Sequence, residues 1–537
     1  MLFGVGLGSA PLANPDEARY AEIPREMLAT GNFVTPRLDG VQYFEKPPLT
    51  YWLVAGCLRA FNGEEAAARA TPALFATLGV LLTYATARSL AGRDAGWWSA
   101  IVQASALLYF AHARILLTDM VVSVLISAAL CCFLLGVRAP AGRRRAWLFY
   151  GLYAAAALAT LAKGLIGFLL PGAIMLLWLL VFNQWRRLRP LHLPGGLLLF
   201  ALIAVPWHVL VSQRNPGWAW FYFVHEHWLR FTTTIHSRNE PWWFFIPVVL
   251  LGVFPWTGFL WPAARNVLPA TWARREEVAD QIFPLLWAGF IFLFFSASKS
   301  KLVPYVLPVL PPLALLLGQH LAPRLRAGQG ASLRGGFLTF SAIAGLLGLA
   351  LLLVGARPSL LGRVENAALI APFARTAGAI LVTGAAVVHL LWRRAAVSQA
   401  VRVMLGCVAG FAGVLILAQP VIARPSTREL ARLVSRQAGP EDIVLHYHDF
   451  FHDFAYYSGR TAGTVAYEGE LELAYDPAAA QLGPHVDEAQ FRALWAGGHR
   501  VYLVLRRAEL AALLAQPGFA ARVFAETPKH VVLINQL

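Results

Sequence analysis

Charge is scarce in this sequence. Only 14% of its 537 residues are Asp, Glu, Lys or Arg, where a soluble domain carries about a quarter. Acidic residues are scarcer still, 29 against 45 Lys and Arg, for a formal net charge of +16. There are four cysteines, Cys57, Cys131, Cys132 and Cys407, each in or beside an apolar segment and none at metal-ligand spacing. That excludes a secreted disulfide scaffold and reads as packing. Low-complexity tracts and internal repeats are lacking, and a hydrophobic fraction of 58% excludes disorder. The short alternating strands of an outer-membrane barrel are missing. So are a phosphate-binding P-loop, a dinucleotide fingerprint and a nucleophile elbow in strand–turn–helix context, which leaves ATP hydrolysis and redox chemistry without support. Nothing repeats a pair of interrupted helices in two halves, which weakens a transporter reading.

What is present is a series of apolar runs near 20 residues, the mark of a polytopic helical membrane protein. Thirteen are read as spans: 1–12, 70–87, 95–112, 119–137, 146–162, 165–182, 195–212, 242–263, 281–297, 302–320, 336–356, 370–392 and 402–422. The first is short, about 18 Å as a helix, and no basic residue precedes it. It reads as the remainder of a span that starts upstream, not as a cleavable signal. Basic residues gather in every second connection, such as Arg138 with Arg143–Arg145, Arg186 with Arg187 and Arg189, and Arg393 with Arg394. By the positive-inside rule these connections face the cytoplasm, so the positive balance reports topology and not nucleic acid. The loops at 13–69 and 213–241 then face outward. Residues 424–537 change character: strand-like runs at 442–447, 463–467, 500–505 and 529–534 alternate with helical patterns at 488–496 and 508–515. The expected architecture is an all-α membrane domain over 1–423 with a small extracytoplasmic α/β domain over 424–537.

The outward loop 13–69 carries unusual charge. Residues 17–28 have helical amphipathic spacing, and Glu17, Glu22, Arg25 and Glu26 read first as a solvated helix on the membrane surface. Asp16, directly after the first apolar run, and Asp119, opening another, are costly at membrane depth without a task or partner. Together they can supply the two carboxylates that sugar chemistry often uses, although Asp119 also suits a helix N-terminus on electrostatic grounds alone. Lys46, Lys163, Lys299 and Lys301, with Arg19, Arg114 and Arg230, lie outward or at membrane depth. Snorkelling explains any one of them. The set as a whole points to a bound anion, phosphate first. In the aromatic stretch 218–228, His225, Glu226 and His227 are candidate metal ligands, with Glu45 a third from the first loop. Such a site would hold zinc or another divalent ion. A weaker metal candidate is His446, His448 and His452, on one face of a strand.

Six motifs in order now carry a resemblance. Pro15-Asp16-Glu17-Ala18-Arg19-Tyr20 resembles the first-loop signature of the GT-C membrane glycosyltransferases that use lipid-phosphate sugars, the superfamily of the protein O-mannosyltransferases. Tyr43-Phe44-Glu45-Lys46-Pro47-Pro48 resembles, within it, the lipid A aminoarabinose transferases. Leu117-Thr118-Asp119, Thr160-Leu161-Ala162-Lys163-Gly164, Glu226-His227 with Arg230-Phe231, and Ser298-Lys299-Ser300-Lys301-Leu302 with Pro304-Tyr305 continue the match through residues 14–320. The C-terminal domain agrees in size and position only. The resemblance implies transfer of a sugar, best 4-amino-4-deoxy-L-arabinose, from undecaprenyl phosphate to a lipid A phosphate on the periplasmic face of the bacterial inner membrane. It implies catalytic roles for Asp16, Lys46 and Asp119. It implies substrate contacts from Arg19, Tyr43, Glu45, Lys163, Glu226, Arg230, Lys299, Lys301 and Tyr305. It implies chemistry that requires no metal, a monomeric enzyme, and membrane lipids but no nucleic acid as partners. Relatives with similar loops move other sugars to other acceptors; the alternatives from other classes are a lipid or polysaccharide transporter, and a binding or scaffold protein with 424–537 as its receptor domain, which leaves the charged 13–69 loop unexplained.

Overall fold

The computed structural model describes residues 3–61, 64–229, 240–362, 367–467, 469 and 485–535. Two compact units divide the chain. The first comprises Met1–Leu7, Ala70–Val209 and Tyr222–Ile422, and the second Gly8–Arg69, Leu210–Phe221 and Ala423–Leu537. The charged first loop therefore groups with the C-terminal region and not with the apolar helices.

The elements of the first loop are helix α1 (Asp16–Thr30), strands β1 (Arg37–Leu38) and β2 (Val41–Gln42), and helix α2 (Leu49–Ala60). Then come α3 (Glu64–Ala91), α4 (Arg93–Ser105), α5 (Leu107–His112), α6 (Thr118–Arg138), α7 (Arg143–Lys163), α8 (Ile166–Phe182) and α9 (Leu193–Arg214). A π-helix, Phe221–Leu229, follows. Next are α10 (Phe245–Gly252), α11 (Leu260–Val267), α12 (Ala279–Ala297), α13 (Leu310–Arg326), α14 (Arg334–Ala356), α15 (Ala367–Arg393) and α16 (Val397–Ile422).

The first unit is an all-α polytopic membrane domain. Helices dominate because a bilayer offers no partner for backbone polar groups, so each span must satisfy its own. Among the described residues nine helices are long and apolar enough to cross a membrane, and the pair Phe245–Gly252 and Thr257–Val267, bent through 102°, makes ten if it counts as one broken span and not as a re-entrant loop. The other three expected spans differ. Residues 3–12 form turns and bends followed by irregular chain and not a helix. The run 95–112 breaks at Ala106, whose φ of −64° and ψ of 126° are extended, into α4 and α5. Helix α8, at 17 residues, is apolar but short. Small residues let helices approach closely. A Cβ on Gly348 of α14 would meet the Gly378 carbonyl oxygen of α15 at 2.9 Å, and one on Gly318 of α13 would meet the Ser99 backbone nitrogen of α4 at 2.5 Å.

The second unit begins with α1, which ends on Gly31 in the left-handed region, its N–H bonded to the Met27 carbonyl at 2.9 Å. Strands β1 and β2 pair antiparallel through Asp39 (φ 56°) and Gly40 (φ 80°), the Asp-Gly signature of a type I′ hairpin. The C-terminal part contains α17 (Arg428–Gln437), β3 (Ile443–Tyr447), α18 (His452–Ser458), β4 (Gly463–Val465), α19 (Glu488–Trp495), β5 (Val501–Arg506), α20 (Arg507–Leu514), β6 (Arg522–Glu526) and β7 (His530–Ile534). The sheet order is β4-β3-β5-β7-β6. Strand β3 runs parallel to β4 and β5, and β7 runs antiparallel to β5 and β6. Alternate residues Val501, Leu503 and Leu505 join Leu445, Val531 and Leu533 in one core with Phe491 and Trp495. Asp487 and Gln490 form a reciprocal capping box at the start of α19. The four strands and two helices expected from sequence are present. Strand β6 and helices α17 and α18 are additions; in β6, Arg522, Val523 and Glu526 are exposed and Phe524 and Ala525 only half-buried, so no alternation marks it.

The first loop is bolted to this α/β part. The Asp453 carboxylate, fully buried, accepts from the Asn14 amide (2.6 Å), the Ser426 hydroxyl (2.7 Å), and the Thr427 N–H (2.7 Å) and hydroxyl (2.8 Å). Helix α1 itself corrects the surface-helix expectation. Glu17, Glu22 and Glu26 are buried. Glu17 takes a two-point salt bridge from Arg69 (2.8 and 2.6 Å) and Glu22 one from Arg25 (2.6 Å on each oxygen). Glu26 caps the Asp39–Gly40 turn through backbone N–H groups. Amphipathic spacing cannot distinguish charges that face water from charges that face matched partners.

Candidate active site

In the membrane unit the central feature is an ion pair at two helix ends. Leu117 is extended and α6 starts at Thr118, so Asp119 lies in the first turn, where the helix dipole favours an anion. Lys163 is the last residue of α7, before Gly164 at φ 88°, where the dipole favours a cation. The Lys163 ammonium donates to Asp119 Oδ1, and both side chains are nearly buried. Lys163 Nζ also lies 5.2 Å from the centroid of the Tyr305 ring, a cation–π contact. Tyr305 packs in turn on Phe295, ring centroids 5.2 Å apart. Its hydroxyl has no hydrogen bond among the described residues, so it remains available to a ligand.

His112 was not singled out in the sequence. It is buried, its Nδ1 donates to the Leu108 carbonyl at 2.9 Å, and it lies within electrostatic range of Asp119 and Lys163. Because a carbonyl only accepts, Nδ1 carries a proton, and in the neutral ring Nε2 is then the acceptor. No spacing rule marks a single histidine in an apolar run, so only its position near the pair brings it out.

The Ser298–Leu302 motif separates its two lysines. Lys299 is exposed. Lys301 is buried and donates to the carbonyls of Ser298 (2.5 Å) and Glu240 (3.0 Å). With two of its three protons engaged there, it anchors the loop as well as adding positive charge. Arg114 clamps the chain start, donating to the Val5 carbonyl at 2.6 Å and to Gln419 at 3.1 Å.

In the second unit the first-loop motif residues form a group of their own. Asp16 is exposed in the first turn of α1, its Oδ1 3.7 Å from Arg19 Nη2. Buried Arg19 donates through Nη1 to the Tyr43 hydroxyl at 3.2 Å and lies near the rings of Tyr20 and Tyr43. Burial, with Glu45 nearby, pushes the Tyr43 phenol well above its usual range, so it stays protonated. Lys46 is buried, donates to the Glu45 carbonyl at 2.9 Å and lies 3.5 Å from the Glu45 carboxylate. The residues expected from the first loop are thus brought together: Asp16 with Arg19 and Tyr43, and Glu45 with Lys46.

The metal expectations find less support in the geometry. His225 Nδ1 lies 3.9 Å from Glu226 Oε1, and Glu226 is buried. The His227 side chain and Arg230 lie outside the described residues. Among the described residues no group of three or more His, Cys, Asp or Glu has metal-holding geometry. The His446, His448 and His452 expectation is corrected: they do not share a strand face. His446 is buried on β3 among the rings of Phe450, Phe451 and Phe454. His448 lies beyond the strand, paired with Glu488 at 2.7 Å, and His452 opens α18.

Comparison with known proteins gives consistent results. A family model described as dolichyl-phosphate-mannose-protein mannosyltransferase matches residues 11–219. An undecaprenyl phosphate-alpha-4-amino-4-deoxy-L-arabinose arabinosyl transferase of Pseudomonas fluorescens is 36% identical over 330 residues, covering 61% of this chain and 59% of its own. One from Pseudomonas aeruginosa is 35% identical over 359 residues, covering 64% and 62%. The match thus spans about three fifths of these relatives' own length. The crystal structure of ArnT from Cupriavidus metallidurans bound to undecaprenyl phosphate superposes with a TM-score of 0.86 at 30% identity, covering 100% of this chain and 96% of that one.

Proposed function

Because this chain belongs to the ArnT-like family of GT-C membrane glycosyltransferases, we propose that it moves 4-amino-4-deoxy-L-arabinose from undecaprenyl phosphate to a lipid A phosphate. The observation that carries this reading is the whole-chain likeness to a relative solved with undecaprenyl phosphate. We place the reaction at the periplasmic face of the inner membrane, since the arginine-rich alternate connections favour the cytoplasm. The acting unit is a single chain.

In the proposed reaction an acceptor phosphate oxygen attacks the anomeric carbon. The bond from that carbon to the carrier phosphate breaks, and the carrier phosphate leaves with the electron pair. Negative charge grows on the leaving oxygen, so fixed cations and donors beside it lower the barrier. Lys163 suits that role: its ammonium is fixed by Asp119 and by the Tyr305 ring. Tyr305 offers a hydroxyl to the carrier phosphate. Lys301 and Lys299 add positive potential, and Glu226 and Arg230 contact substrate. Lys46 and Arg19 bind phosphate or sugar from the first loop, with Tyr43 and Glu45 orienting them. Asp16, exposed and beside Arg19, orients substrate. A phosphate acceptor is already anionic and needs positioning more than deprotonation. With a hydroxyl acceptor, Asp16 would be the general base. No metal is needed for these steps. An ion at Glu45, His225 and His227 would organise the site.

The mannosyltransferase description of the matching family model favours a second reading, a hexose moved to a protein. The experiment that separates them is mass spectrometry of lipid A from a host that makes undecaprenyl-linked aminoarabinose but lacks its own transferase. A gain of one aminopentose on a phosphate is the expected result. Unmodified lipid A, with the protein present in the membrane, would refute the donor and acceptor assignment.

A further inference from the structure

At one end of the membrane unit the α13–α14 and α15–α16 connections enclose an open cavity of about 700 Å³. It is lined by Gly328, Gln329, Ser332, Trp392 and Arg393, among others. Its walls are held from both sides. Gly328 (φ 63°) and Ala395 (φ 57°) turn the two connections through the left-handed region. Gly330 lies against Val397, where a Cβ would come within 2.8 Å of Cγ2. The Trp392 indole N–H donates to the Gly330 carbonyl at 3.3 Å, and the Ser332 hydroxyl donates to the Gln329 carbonyl at 2.8 Å.

The electrostatics of this cavity are one-sided. Residues 321–335 and 389–402 contain Arg324, Arg326, Arg334, Arg393, Arg394 and Arg402 and no Asp or Glu. Arg326 lies 3.8 Å from Asp94. Among the described residues Arg334, Arg393 and Arg394 make no ion pair. Arg334 is instead stacked over Trp392, guanidinium carbon 5.9 Å from the ring centroid. A stacked guanidinium keeps its edge N–H donors free for an anion. The position also matters. Four apolar helices end or begin here, so the cavity opens where the hydrocarbon layer gives way to headgroups. Tryptophan and arginine are the residues that settle at that level.

We propose that this cavity binds the phosphodiester headgroup of an anionic phospholipid in the leaflet that this end of the helices meets. Arg393 and Arg334 bind the phosphate oxygens. Gln329 and Ser332 contact the glycerol hydroxyls, and the acyl chains lie along the apolar faces of the adjoining helices. The site takes no part in sugar transfer and stands whichever sugar or acceptor the enzyme uses.

The test is native mass spectrometry of the full chain in detergent, titrated with phosphatidylglycerol as probe. Wild-type protein is expected to retain phosphatidylglycerol adducts but not phosphatidylcholine adducts, and glycerol phosphate is expected not to displace them. The double variant Arg334→Gln/Arg393→Gln should lose about tenfold in affinity, while Arg393→Lys, which keeps the charge, should lose much less. Arg357→Gln, after the far end of α14, is the control and should match wild type. All variants are first checked for a monodisperse elution profile. Undiminished phosphatidylglycerol binding in the double variant, an equal loss in the control, equal retention of phosphatidylcholine, or displacement by glycerol phosphate would each overturn the proposal.

Discussion

Lys163 and Asp119 close an ion pair between the last residue of one membrane helix and the first turn of another. Each is placed where its own helix dipole favours its charge, and each shields the other from a low-dielectric surround. Removing one partner leaves a buried charge uncompensated. Lys163→Ala or Asp119→Ala should each destabilise the protein by about 3 kcal/mol. The double variant should cost less than the sum. Thermal unfolding in detergent checks this, and additive losses would show the pair to be uncoupled. If Lys163 serves the departing phosphate, its loss also lowers turnover by about 10²-fold to 10³-fold, a deficit that the double variant does not regain.

Asp16 and Lys46 differ in how much they do for the fold. Asp16 is exposed and its nearest ionic partner is 3.7 Å away, so Asp16→Ala should insert and fold as wild type while losing transfer. Lys46→Ala should likewise lose transfer with insertion retained. The measurement is product formation by purified protein in detergent, where no second compartment exists. Near-normal turnover in both variants would refute the assignment. Strict dependence on Asp16 there also separates an enzyme from a transporter.

Glu26 predicts a pH effect. Burial and the neighbouring Glu22 push its carboxyl up to about 8, against the opposing N–H bonds from Gly40 and Asp39 and the Arg25 charge. Asp39, fully enclosed, is also raised, by burial first. A raised carboxyl means that the folded state holds a proton that the unfolded chain has already released. The stabilisation is therefore complete below the ordinary carboxylate range and is lost as pH rises through about 8. The melting temperature of the full chain should fall as pH rises from the ordinary carboxylate range, ~5, to about 8 and level off above it. Glu26→Gln, which still accepts from the Asp39–Gly40 turn, should flatten that slope. Parallel profiles for variant and wild type would assign the slope to other groups.

Asp453 holds the first loop to the α/β part. Asp453→Ala removes the acceptor of four hydrogen bonds within a buried site and should destabilise the second unit by about 3 kcal/mol. Faster proteolytic cutting in residues 8–69 is the expected readout, with Asn14→Ala giving a smaller effect of the same kind. Cutting confined to the α/β part would show that the loop is held by other contacts.

Gly348 tests helix packing. Its Cβ would meet both the Gly378 carbonyl at 2.9 Å and Leu381 Cβ at 3.0 Å, and backbone cannot swing aside as a long side chain can. Gly348→Ala should cost about 1–3 kcal/mol. Gly345→Ala on the same helix, with nothing within 4 Å, should be neutral or slightly stabilising. Equal melting temperatures for the two variants would contradict the close crossing.

Much of the candidate site was legible as motifs because each is short and sequential. Asp119 and Lys163 were both marked by charge at the edge of an apolar run, but their pairing was not, since 44 residues separate them. His112 left no mark at all. The spacing of Glu17, Glu22 and Glu26 fits a surface helix; Glu22 pairs within the helix with Arg25, but the partners of Glu17 and Glu26, Arg69 and the Asp39–Gly40 turn, come from elsewhere in the chain.

The sequence by itself determined the all-α membrane character and most of its helices, the α/β character of residues 424–537 and the order of the functional motifs. These depend on hydropathy, on period and on local turn chemistry, all of which act over a few residues. Tertiary structure alone decided which charges pair, that 13–69 packs with the C-terminal part, and that residues 3–12 are not a helix. Those outcomes depend on desolvation weighed against partners distant in the chain, and a linear pattern carries no record of what will stand opposite a given side chain.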